Sequence, residues 1–204
     1  MEKKTVTILL AVVLTTCYAQ AQVALGARAG LNFTNISSTW DGKKVSSNSL
    51  PGIQIGLISD YQYNKSISFQ PALLFSTHAS KVKQDGGSMK SRISYIQAPL
   101  DVQYKIDLDG PNFIVQAGPY LGYAVNGRYK IKNEGASSKE KITFGRGDDG
   151  VKRFDLGIGA GIGLEYSNVQ VVFGYNLGLV NLRNVNNYST KSNGLWLTLN
   201  YFFL

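Results

Sequence analysis

The sequence predicts an all-β fold, an eight-stranded antiparallel up-and-down transmembrane β-barrel. Three observations predict it: eight stretches alternate apolar and polar side chains, the links between them alternate long and short, and a secretory signal precedes them. The clearest stretch is 154–166. Phe154, Leu156, Ile158, Ala160, Ile162, Leu164 and Tyr166 fall on one face, and Asp155, four glycines and Glu165 on the other. A period of two over that length means a strand with one oily and one wet face.

The N-terminus reads as an address. Lys3 and Lys4 form a positive region, Ile8 to Leu14 an apolar one, and Ala19-Gln20-Ala21 a small-x-small cleavage site. That pattern is a signal peptide over 1–21, too short to span as a helix, cut before Gln22. Residues 22–204 then form a single outer-membrane β-barrel domain. The lone cysteine, Cys17, falls inside the signal, so the mature chain carries no disulfide and no thiolate metal site. A rival reading makes Leu14-Thr15-Thr16-Cys17 a lipoprotein site; threonine is bulky before such a cysteine, and the Ala-x-Ala site fits better. No later window approaches the ~18 consecutive apolar residues of a spanning helix. Losing Lys3, Lys4 and Glu2 takes the formal charge from +8 to +7.

The strands fall at 23–33, 53–63, 67–77, 92–106, 113–126, 154–166, 169–179 and 194–204. In the first, Val23, Leu25, Ala27, Ala29, Leu31 and Phe33 face lipid, and Ala24, Gly26, Arg28, Gly30 and Asn32 face inward. In the seventh, Val169, Val171, Phe173, Tyr175 and Leu177 face out, and Gln170, Gly174 and Asn176 in. Each has about the ~9–11 residues that a tilted strand needs to cross the hydrocarbon. Links are long after strands 1, 3, 5 and 7. They are short after 2, 4 and 6, at 64–66, at the Asp107 to Asn112 turn with its Asp-Gly-Pro, and at Ser167-Asn168. That asymmetry places both termini on the periplasmic side. Tyr61, Tyr63, Tyr104, Phe113, Tyr166, Tyr201 and Phe203 gather at the turn end as an interfacial girdle.

Two features strain the pattern. Ser59 faces out and Ile58 in. Pro71, Pro99 and Pro119 fall inside strands and remove ladder hydrogen bonds, which predicts a local bulge or register shift near each.

Tyr95 to Tyr104 (YIQAPLDVQY), Gln116 to Tyr123 (QAGPYLGY), Phe154 to Gly163 (FDLGIGAGIG) and Phe69 to Leu74 (FQPALL) resemble recurring motifs of the PorT-like outer-membrane β-barrel proteins. These are small barrels typical of the Bacteroidetes, often labelled porin family. The resemblance covers almost the whole mature chain. It implies the fold and an outer-membrane location but no single activity, because the family carries no catalytic motif; in-strand prolines recur in it. Members commonly end on an aromatic residue, and here Leu204 follows Tyr201-Phe202-Phe203.

Candidate chemistry is sparse. The glycines at 157, 159, 161 and 163 are spaced by two throughout, with no Gly-x-Gly-x-x-Gly and no Gly-Lys-Ser/Thr, so they cradle no phosphate. On one face of a strand they leave room for large side chains from the opposite wall. Arg28, Asp60, Asp101, Lys105, Asp155 and Glu165 point inward with several glutamines. They make either a hydrophilic pore or carboxylate pair, or the polar filling of a narrow barrel, and the width of an eight-stranded interior favours filling. Four carboxylates against two cations means that some reach water at the rims or that one is protonated. Ser76 and His78, on one face at the loop end of strand three, would suit a rim hydrolase but lack an evident third member. No catalytic, cofactor-binding or metal-ligating residue is assigned, and no cofactor is expected.

The long loops are basic. Over 127–153, Arg128, Lys130, Lys132, Lys139, Lys141, Arg146, Lys152 and Arg153 outweigh Glu134, Glu140, Asp148 and Asp149; over 77–91, Lys81, Lys83 and Lys90 outweigh Asp85. The nearest anions at a cell surface are lipopolysaccharide phosphates. The expected partners are outer-membrane lipids and lipopolysaccharide, with the insertion machinery during biogenesis; nucleic acid is not a partner, and the barrel is expected to be a monomer. The expectation is a non-enzymatic barrel with a side-chain-filled lumen in an envelope structural or loop-mediated binding role. The rivals are a narrow channel or secretion accessory, which the resemblance permits, and a lipid-modifying hydrolase.

Overall fold

The computed structural model describes residues 22–40, 43–46, 48–84, 87–133, 136–145, 151–181 and 188–203. Its strands are β1 (Gln22–Trp40), β2 (Lys43–Ser46), β3 (Asn48–Gln62), β4 (Ile67–Gln84), β5 (Gly87–Asp107), β6 (Asn112–Asn133), β7 (Ala136–Lys141), β8 (Phe154–Tyr166), β9 (Val169–Gly178) and β10 (Tyr188–Phe202). Eight of them pair with their neighbours in chain order, β1 through β3, β4, β5, β6, β8, β9 and β10, and β10 pairs back onto β1. Closure from Gly26 opposite Phe202 to Trp40 opposite Tyr188 leaves no edge in the eight-stranded ring, while among the described residues β2 and β7 each pair on one side only. Residues 1–21, read from the sequence as a signal peptide, lie outside the described residues.

Alternation decides which side chain goes where. Leu25, Leu31, Leu57, Leu73, Ile158 and Phe173 are exposed on the outer wall, while Arg28, Asn32, Gln70, Gln103, Asp155 and Gln170 are buried inside. So wide an exposed apolar surface is unsustainable in water and is the expected band of a barrel in lipid. Ile58 does point inward, against Ala72, Leu74 and Phe202. Ser59 lies outward, where its hydroxyl donates to the Pro71 carbonyl at 3.4 Å.

The turns at one end are tight for identifiable reasons. Asn64 Oδ1 accepts from the amides of Ser66 and Ile67 at 2.9 and 2.8 Å, a side-chain-closed turn. Asp107 Oδ1 holds the Asp109 amide at 2.9 Å, with Asp109 at φ 58° and Gly110 at φ 155°. Ser167, at φ 53°, starts the two-residue turn between β8 and β9. Tyr63, Tyr104, Tyr166, Tyr201 and Phe203 are exposed around this end.

Three expectations change. Much of the long links is ladder: β4 and β5 stay paired out to Gln84 opposite Gly87, β6 and β7 out to Asn133 opposite Ala136, and β2 pairs with β1. Pro71, Pro99 and Pro119 produce no bulge. Pairing lapses beside Pro71, Pro99 and Pro119, but Pro71 opposite Leu100 and Leu74 opposite Gln97 keep one register, as do Pro99 opposite Tyr120 and Val102 opposite Ala117. A missing N–H deletes a rung, whereas a bulge needs an extra residue. The register shifts fall instead between Leu50 and Gln54, around Pro51, and between Ser94 and Tyr95. Finally, the large side chains over the β8 glycines come from nearby strands and not from the opposite wall. Tyr120 sits beside Gly157 from the directly paired β6, and Trp196 of β10 lies over Gly161 and over Gly174 of β9.

Candidate functional site

Among the described residues the lumen gathers the buried charges, and near the turn end it is filled by a continuous belt. Lys105 Nζ of β5 lies 3.0 Å from Asp60 Oδ2 of β3 and 2.8 Å from Glu165 Oε2 of β8. Asn112 donates to the other Glu165 oxygen at 2.9 Å, and Gln170 of β9 donates to Glu165 as well. Asn200 of β10 donates to Gln170 Oε1 at 3.1 Å and accepts from Arg28 Nε at 2.9 Å. Arg28 then meets Asp101 at 3.7 Å, Gln116 donates to Asp101 at 3.0 Å, and Gln103 donates to Gln116 at 2.7 Å. The belt touches β1, β3, β5, β6, β8, β9 and β10. Buried charges are tolerable only when paired and hydrogen-bonded, and here five of the six inward charges are.

Asp155 is the sixth. It is buried at the opposite end of the lumen, near Tyr95, and its Oδ1 has no hydrogen-bond partner. Arg28 reaches Asp101 and does not join Asp155 in an ion pair.

Farther from the turns, bulk replaces charge. Trp196 is buried, its indole N–H donating to Asn176 Oδ1 at 3.0 Å. A Cβ on Gly174 would collide with the Trp196 ring, and one on Gly157 would lie 2.5 Å from the Tyr120 hydroxyl oxygen. Gly157, Gly161 and Gly174 are therefore the imprint of these aromatics, whereas Gly159 faces the Asn176 amide and Gly163 packs on Val172. Two voids between the layers measure about 20 and 10 Å³, room for about one water each.

The mouth is covered on its β5–β6 side by a feature that the sequence reading did not anticipate. Beyond β7 the chain turns in, and Ile142 and Val151 bury against Ile93, Tyr95 and Ala124 of the inner wall, with Phe144 packed alongside. Ile142 N–H donates to Gly127 O at 3.0 Å, and Gly127 is needed because a Cβ there would come within 2.8 Å of Ile142. Arg153 fastens the return: its guanidinium lies 4.8 Å from the Phe144 ring centroid and donates to Ala124 O at 3.0 Å. Isolated apolar residues in an otherwise charged stretch were the available signal.

Ser76 and His78 do share the inner face of β4, without forming a hydrolytic pair. Asn32 donates to Ser76 Oγ at 3.0 Å, and the His78 ring lies tilted against Tyr95 with centroids 4.8 Å apart. His78 Nδ1 has no partner, and among the described residues no carboxylate orients it. A nucleophile–base–acid relay needs those contacts.

Closed ring, apolar outer wall and polar filling are joined by a sequence match: the family model of the outer membrane protein beta-barrel domain matches residues 18–184. The chain belongs to this family. As an outer membrane β-barrel protein it resides in the bacterial outer membrane, with the β4–β5 and β6–β7 hairpins on the cell-surface side. Among curated proteins none matches it in sequence. Similar solved structures include Ail, the attachment invasion locus protein of Yersinia pestis, at 13% identity and TM-score 0.45, covering 88% of this chain and 97% of that one. Neisserial surface protein A gives 16%, 0.44, 90% and 99%, and the N-terminal β-barrel domain of Pseudomonas aeruginosa OprF 13%, 0.32, 89% and 100%.

Proposed function

We propose that this barrel is a non-enzymatic envelope protein, closed to solutes, which anchors structure in the outer membrane and offers its surface hairpins for binding. The observation that carries the reading is the belt from Asp60 through Lys105, Glu165, Gln170, Asn200 and Arg28 to Asp101, spanning the lumen beneath the cap of Ile142 and Val151. A conduit would need a continuous wet path, and the belt crosses this lumen with side chains bonded to one another. The QAGPYLGY and FDLGIGAGIG motifs support a PorT-like barrel of Bacteroidetes type. A signal peptide removed before Gln22, insertion by the outer-membrane machinery and a monomeric state complete the proposal.

Liposome swelling tests the closed lumen. Vesicles carrying the protein should take up arabinose no faster than protein-free vesicles; uptake that scales with protein content would establish a channel. Intact mass of the exported protein tests processing. A chain beginning at Gln22 is expected, and an acylated Cys17 would overturn the assignment.

A further inference from the structure

The outer wall above the apolar band carries two rows of cations set opposite one another. Lys81 of β4 pairs with Lys90 of β5, Lys90 with Lys130 of β6, and Lys130 with Lys139 of β7. One row nearer the membrane, Arg92 pairs with Arg128 and Arg128 with Lys141. Cross-strand partners share a face, so all of these lie on one side of a four-stranded sheet. Like charges directly opposite destabilise a ladder, and among the described residues none of these is in an ion pair. The acid within β7, Glu140, opposes Tyr129 and so belongs to the other face. Such rows are tolerable where an external anion lies against them.

The position of the rows identifies that anion. Arg92 lies on the same face as Ile96 and four residues beyond it, about 10 Å along the barrel axis for a tilted strand. Beneath, the Tyr123 and Phe154 rings meet edge to face at 5.1 Å, with the Arg153 guanidinium 5.8 Å from the Tyr123 centroid, an aromatic and cationic border of the kind found at a membrane interface. The rows thus continue the lipid-facing wall sideways into the headgroup layer and do not point up from the mouth. We propose that this wall binds the phosphates of lipopolysaccharide, through Arg92, Arg128 and Lys130 with Lys90 and Lys141 flanking. The inference deepens the surface-binding role above and is independent of whether the lumen conducts.

The test compares the purified barrel with an Arg92→Gln/Arg128→Gln/Lys130→Gln variant. The probes are rough lipopolysaccharide and the same material after phosphatase treatment. The wild type should prefer the phosphorylated form by at least about tenfold, and the variant should lose on the order of a hundredfold in affinity for it. Thermal unfolding gives a second readout. In zwitterionic detergent the variant should melt higher than the wild type, because repulsion is relieved; with lipopolysaccharide present the order should reverse. Should the triple variant not fold, Lys139→Gln/Lys141→Gln on β7 carries the same comparison. Equal binding of the two forms, or unchanged binding by the variant, would overturn the proposal. So would dextran sulfate binding as tightly as lipopolysaccharide with the same sensitivity to the variant, since that result assigns the rows to soluble polyanions.

Discussion

Lys105 shows how a buried charge is made tolerable. Its ammonium sits between Asp60 and Glu165, and Glu165 is further held by Asn112 and Gln170. Lys105→Met would strand two carboxylates inside the wall, and breaking a buried pair from one side costs about 3 kcal/mol or more. Urea unfolding in bilayers should show that loss, and the Asp60→Asn/Lys105→Met/Glu165→Gln triple variant should recover most of it. A Lys105→Met barrel as stable as the wild type would mean that water reaches both acids. The inward placement of all six charges was legible from period two alone. Their partners were not, because register and barrel curvature decide which inward side chains meet, as when Arg28 finds Asp101 and not Asp155.

At the scale of the strand, β8 tests the two-faced wall. Ile158 is 49% exposed on the outer face, and Gly159 beside it is buried on the inner. Ile158→Arg near mid-membrane should cost ~2–4 kcal/mol in bilayers. Gly159→Ser should cost less, about the one hydrogen bond lost when its Cβ, 2.7 Å from Asn176 Oδ1, pushes that oxygen away from the Trp196 indole. Equal sensitivity at the two sites would contradict the register. Strands inside the membrane were readable because one face is apolar. The extensions His78 to Gln84 and Gly87 to Ser91 were read as loop because neither face is apolar once the ladder leaves the lipid. The cap escaped for a related reason: Ile142 and Val151 stand singly among charged residues and have no period at all. Prolines misled in the opposite direction, since a closed ladder absorbs a missing rung at Pro71 or Pro119 without changing register.

The whole molecule divides its chemistry by region. Apolar side chains face lipid, a hydrogen-bonded belt and the Trp196 and Tyr120 rings fill the lumen, Ile142 and Val151 fold against the β5–β6 side of the mouth, and cations line the outer wall above the membrane. Only the first of these is required to be a barrel, and the lumen filling decides whether the barrel is a conduit. The most direct measurement is single-channel recording of the purified protein in planar bilayers. The belt and cap predict no steady conductance, for the wild type and for Asp155→Asn alike. A reproducible open channel whose cation selectivity falls on Asp155→Asn would contradict the closed lumen and make the inner carboxylates a permeation path.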